Sequence, residues 1–199
     1  MVHRMLTCLV LAMLVVAACG GPATSASPSP TPTPTSAPTQ SVAPAVTPTP
    51  TAVPSATTGL YTCVMPVTLP GTAAGANQAV PTAVRIGKHT DYDRIVFEYS
   101  GTLIPALEIS SVKPPFTRDP SNLPMTVAGS SFLRIRLEGV KSGVAGRTSF
   151  LVQFPTLTQV VRQGDFEAIQ SWIAGLTKPG CVHVSTLAAP ARIVIDIQH

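Results

Sequence analysis

Over the C-terminal two-thirds of the chain, apolar and polar residues alternate with a period of two. In Phe132-Leu133-Arg134-Ile135-Arg136-Leu137-Glu138, the residues Leu133, Ile135 and Leu137 fall on one side and Arg134, Arg136 and Glu138 on the other. That is the pattern of a strand buried on one face of an antiparallel sheet. Residues 93–99 read as a second strand, closed by Ser100-Gly101. Residues 106–112 read as a third, stopped by Pro114-Pro115, and residues 157–163 as a fourth, ended by Gly164-Asp165. Residues 181–187 and 191–197 form a hairpin around Ala188-Ala189-Pro190, and residues 84–88 begin the sheet. Short strands broken by Gly, Pro and Asp predict an all-β fold, an antiparallel β-sandwich of two small sheets, with a barrel as the alternative closure. Residues 166–176 fit two templates. Ala168, Ile169, Trp172, Ile173 and Leu176 follow helical spacing, so this segment is expected as one short helix or an irregular strand.

Two segments share one pattern: Arg94-Ile95-Val96-Phe97-Glu98 and Arg192-Ile193-Val194-Ile195-Asp196. On a strand, the arginine and the acid of each segment lie on the same face, placed for same-face or cross-strand ion pairs. Recurrence by chance and internal duplication both account for the repeat.

The N-terminal part is different. Leu6 to Ala18 is apolar after a weakly basic start, and is shorter than the ~20 residues a helix needs to cross a hydrocarbon core. Basic end, apolar middle and small residues before a cut make a secretory signal. Val16-Ala17-Ala18-Cys19 resembles the lipobox of bacterial lipoproteins. That resemblance implies cleavage before Cys19 and a diacylglyceryl group on its thiol, enough acyl chain to hold a protein at a membrane. Gly20 follows the cysteine, where an Asp would point to retention at an inner membrane. From Gly20 to about Thr58 the chain is Pro, Thr, Ser, Ala and Val without a charged residue. Proline removes backbone donors, and little apolar bulk is present to offset ordering, so a disordered linker biased to polyproline II is expected. At ~3.1 Å per residue it reaches on the order of 100 Å. The organisation expected is a lipoprotein signal peptide at 1–18, the lipidated cysteine and linker at 19–58, and a folded domain at 59–199.

With Arg4 set aside, twelve Lys/Arg face nine Asp/Glu, a net charge of +3 on the folded part. This is mildly basic and lacks the clustered basic residues of a nucleic-acid binder. Three blocks carry a family resemblance. His89-Thr90-Asp91-Tyr92-Asp93-Arg94-Ile95-Val96-Phe97, then Gly164-Asp165-Phe166-Glu167 with Trp172 and Gly175-Leu176, then Pro190-Ala191-Arg192-Ile193-Val194-Ile195-Asp196-Ile197 resemble the AMIN-like domain of bacterial exported proteins and lipoproteins. The likeness runs over about residues 83–199 and extends, more distantly, to the AMIN domain of cell-wall amidases, a small β-sandwich thought to bind peptidoglycan. What it implies is a binding module without the enzyme, exported and held at the outer face of the cell membrane, or of an outer membrane. Its implied partners are the membrane through the anchor, peptidoglycan or an associated wall polymer, and alternatively another envelope protein.

Cys8 leaves with the signal and Cys19 is the lipid site, which leaves Cys63 and Cys181, an even pair in an oxidising compartment. A bridge between them is expected, with two buried thiols as the alternative. No catalytic residue, cofactor or metal site is expected. His89, Asp91 and Asp93 read as a polar turn before a strand, and the zinc-helix and serine-elbow patterns are absent from the sequence. The binding candidates are Arg94, Arg134, Arg136 and Arg192, because guanidinium groups hold carboxylates and phosphates bidentately. Arg134 and Arg136 share one polar face, and Arg94 or Arg192 is expected near them. Paired surface charges are the plainer reading of each. Trp172 is expected in the core.

Overall fold

A computed structural model of the chain describes residues 59–143 and 146–199; the expected signal peptide, the expected lipid site Cys19 and the expected linker lie outside the described residues. The strands are β1 Val67–Leu69, β2 Val80–Lys88, β3 Tyr92–Ser100, β4 Ala106–Val112, β5 Phe116–Thr117, β6 Pro124–Met125, β7 Ser131–Glu138, β8 Ser149–Leu151, β9 Leu157–Phe166, β10 Ile169–Leu176, β11 Val182–Ala188 and β12 Ala191–Gln198. They form a six-stranded sheet in the order β1-β4-β7-β10-β9-β8, a four-stranded sheet in the order β11-β12-β3-β2, and the small β5–β6 pair. Every strand pairing is antiparallel.

Alternation decides which side chains meet. Ile95, Phe97 and Tyr99 of β3, with Ile193, Ile195 and Ile197 of β12, face Ile109 of β4, Ile135 and Leu137 of β7, and Trp172 and Leu176 of β10 in one buried core. Phe97 meets Trp172 edge-on, with ring centroids 5.5 Å apart, so the lone tryptophan joins the two sheets. Fully burying side chains of this size contributes roughly 1.5–3 kcal/mol each.

The helical option for residues 166–176 is corrected. Glu167 and Ala168 have φ values of 51° and 63° and make a two-residue hairpin turn. The chain then enters β10, a central strand. Helical spacing arose because β10 is apolar on both faces. Trp172, Ala174 and Leu176 enter the sandwich core, whereas Ile173 packs outward beneath Phe116, Met125 and Val127. The β5–β6 hairpin therefore forms a small third layer over part of the six-stranded sheet's outer face.

Two strand limits also differ from expectation. β9 runs past Gly164-Asp165 to Phe166, because those residues stay paired with Ser171 and Gln170 beyond a bulge at Gln163. The β2 strand starts at Val80 rather than Val84, and it ends its sheet as an edge, while β1 belongs to the other sheet.

The repeated Arg-x-Val-x-acid pattern acquires a physical meaning. β3 and β12 are antiparallel neighbours with Val96 opposite Val194, Arg94 opposite Asp196 and Glu98 opposite Arg192. Reversed copies of one charge pattern pin the register, since a slip by one residue would turn every apolar side chain to the wrong face. Arg94 holds Asp196 through Nε at 2.6 Å and Nη2 at 2.8 Å.

The expected bridge is present: Cys63 and Cys181 are disulfide-bonded. Next to it, Thr62 and Val182 exchange two backbone hydrogen bonds of 2.9 Å, tying the segment before β1 to the free side of β11.

Candidate functional site

The outer face of the six-stranded sheet is divided. Part lies under the β5–β6 hairpin, and beside it is a groove of about 440 Å³. Its floor is Arg134 and Arg136 of β7 with Ile169 and Ser171 of β10. One wall is Asp119-Pro120, from the loop between β5 and β6. The other is residues 163–167, the end of β9 and its turn.

Local chemistry holds the walls. Asp119 donates its backbone N–H to the Gln163 carbonyl at 3.0 Å, and the Gln163 side-chain amide donates to the Thr117 carbonyl at 3.0 Å. This close approach needs glycine at 164, where a Cβ would stand 2.6 Å from that of Asp119. The bulge at Gln163 turns the following residues toward the groove, and Phe166 is left 52% exposed at its rim. A large exposed aromatic beside a polar groove is the part of the site that strand alternation conceals.

The charges are unequal in status. Arg136 donates to Glu138 at 2.8 Å, a surface ion pair of small worth. Arg134 lies between Ser110 of β4 and Ile173 of β10 in the sheet register. Its Nε is buried, and so is the Ser110 hydroxyl; neither has a hydrogen-bond partner among the described residues. A buried donor without a partner is costly unless something completes it. Asp165 is in a related position. Its Oδ2 accepts from Arg162 and from the Gly143 N–H, both at 3.2 Å, while Oδ1 is buried without a partner among the described residues.

The structure brings Arg134 and Arg136 together and separates them from Arg94 and Arg192. The latter two lie on the outer face of the four-stranded sheet, at the opposite side of the sandwich. Alternation assigns residues to a face of a strand; it does not say which sheet the strand joins. Arg94 is committed to Asp196 and stacks over the Tyr92 ring at 5.0 Å. The hydrogen bond to Asp196 holds the Arg94 guanidinium above its usual pKa, and burial together with Asp196 raises the nearby Tyr61 phenol. Arg192 turns back to the Pro190 carbonyl at 3.4 Å.

His89 stacks on Tyr92 at 4.5 Å, and Asp93 points into the core rather than toward a metal. Among the described residues, no group of three or more His, Cys, Asp or Glu side chains is placed to hold a metal ion. Sequence reasoning missed Asp119 and Phe166. The only signals were a polar Asp-Pro in a loop and an aromatic before a turn.

No curated protein and no solved structure matches the chain significantly. The family model described as AMIN-like domain matches residues 79–199, from the strand that opens the four-stranded sheet to the last residue. On that match, which takes in both faces of the sandwich and the whole groove, the chain belongs to the AMIN-like domain family.

Proposed function

We propose that this protein is a non-catalytic, lipid-anchored envelope protein whose sandwich binds peptidoglycan or an associated wall polymer in the Arg134 groove. Family membership supports the general setting, because AMIN-like domains are associated with the cell envelope. The signal and Cys19 supply the anchor, and the proline-rich linker the reach. The observation that carries the site is the Arg134 guanidinium, half-buried on the groove floor, with a buried Nε that has no hydrogen-bond partner among the described residues. Arginine in that state is prepared for a planar anion.

The test is co-sedimentation of the purified full-length protein, in mild detergent, with sacculi carrying or stripped of covalently attached polymers. Saturable pelleting that weakens about tenfold or more in Arg134→Gln supports the reading. Absence of pelleting at physiological salt refutes it.

A second reading has its own observation. β2 is a nine-residue edge strand with β3 on one side only, and a cavity of about 250 Å³ lies between it and Trp172, Gln170 and Arg162. Such an edge can accept an extended segment of another envelope protein.

A further inference from the structure

We infer that the Arg134 groove is built for a zwitterionic amino-acid group, one bearing a free carboxylate and a free ammonium, and not for a polyanion or a neutral glycan. The inference rests on the groove being the binding site proposed above, and it names the part of the polymer that is read.

Two arginines, Arg134 and Arg136, line the groove against three acids, Asp119, Asp165 and Glu167. Arg136 is already engaged by Glu138. Asp165 is engaged on one oxygen only. Asp119 and Glu167 are exposed, and neither makes an ion pair among the described residues. Arg118 and Arg162 stand across the Asp119–Gly164 contact, in an adjoining pocket.

A chain of phosphodiesters would satisfy Arg134 and then meet the exposed carboxylates of Asp119 and Glu167, with like-charge repulsion from both. A neutral sugar would leave the half-buried guanidinium without a counter-charge. A group with one carboxylate and one ammonium completes both halves. Its carboxylate lies on Arg134, and its ammonium lies toward Asp119 and Glu167. Phe166 and Ile169 offer apolar contact to an aliphatic stem between the two charges. A volume of about 440 Å³ suits one or two amino-acid residues rather than a long polymer segment.

The chemistry is shared by a peptide branch of a wall polymer and by a free amino acid, and the test separates them. The probe is Nα-acetyl-lysyl-D-alanine, which keeps its ε-ammonium and its terminal carboxylate. Its ε-acetylated form and its terminal amide are the controls, and binding to the full-length protein is read by calorimetry. Each blocked form is expected to bind at least tenfold more weakly than the probe. Arg134→Gln abolishes the preference for carboxylate over amide, and Asp119→Asn reduces the preference for ammonium over its acetylated form. Competition by free lysine equal to the dipeptide upholds the chemistry and assigns it to a free amino acid; weaker competition assigns it to a peptide. Equal binding of probe and blocked forms overturns the inference, as does stronger competition from poly(glycerol phosphate). These ligand comparisons use the unaltered protein and so do not depend on any variant folding. Sacculus pelleting that persists while the probe fails to bind overturns this inference alone; loss of pelleting overturns the reading beneath it.

Discussion

Asp93 is fully buried, and its Oδ2 accepts the backbone N–H groups of Thr156 at 2.8 Å and Leu157 at 2.7 Å. Its Oδ1 is hydrogen-bonded to His199 Nε2 at 3.0 Å. The carboxylate sits on β3 and the two donors at the start of β9, so one side chain joins the two sheets. Replacing Asp93 by Ala strands two buried donors at ~1–3 kcal/mol each, a loss of about 4 kcal/mol. For a domain of this size that corresponds to roughly 10–20 °C in Tm. Asp93→Asn keeps one acceptor oxygen in the same place and should lose only about 1–2 kcal/mol. The assay is urea unfolding followed by the fluorescence of Trp172, the one tryptophan and 2% exposed. If Asp93→Ala stays within ~0.5 kcal/mol of the parent, or Asp93→Asn is as damaging as Asp93→Ala, the latch does not exist.

Three further outcomes are expected. Reducing the Cys63–Cys181 bridge opens a sequence separation of 118 residues, and the chain-entropy model gives a loss of about 5 kcal/mol; a urea midpoint unchanged by reductant would contradict this. The buried Tyr99 phenol is pushed far above its usual pKa by desolvation, so its contribution is complete below pH ~10 and is lost as pH rises beyond. Stability should therefore fall in alkali, and Tyr99→Phe should flatten that fall in a pH series of melting curves. A methyl at Gly175 would run into the Ala128 carbonyl oxygen, where the chain crosses β10, so Gly175→Ala should lose ~1–3 kcal/mol. Gly146→Ala, with open space around it, should stay within ~0.5 kcal/mol in the same denaturation series.

Much of the sandwich was legible because half-buried strands write their burial into the sequence at a period of two. β4 has the predicted limits, β7 alternates as read, and β11–β12 is the predicted hairpin. β10 was harder, because a strand covered on both faces loses the alternation that identifies it. Its outer cover, the β5–β6 hairpin, comes from elsewhere in the chain, and no local pattern announces it. Asp93 was unreadable for a similar reason. An aspartate before a strand usually faces water, and only the arrival of the Thr156 and Leu157 donors makes its burial tolerable.

Composition and local pattern by themselves determined the class of fold, the strands that alternate, and the expectation of a bridge between Cys63 and Cys181. These are properties of neighbouring residues and of residue counts. The tertiary structure alone decided that Arg134 and Arg136 share a groove while Arg94 and Arg192 face away on the other sheet. It also decided that Asp119 and Phe166 form the groove's walls, and that the Nε of Arg134 is buried without a hydrogen-bond partner among the described residues. Strand order and inter-layer contacts join residues far apart in the chain, and alternation along one strand carries no information about which strand lies beside it.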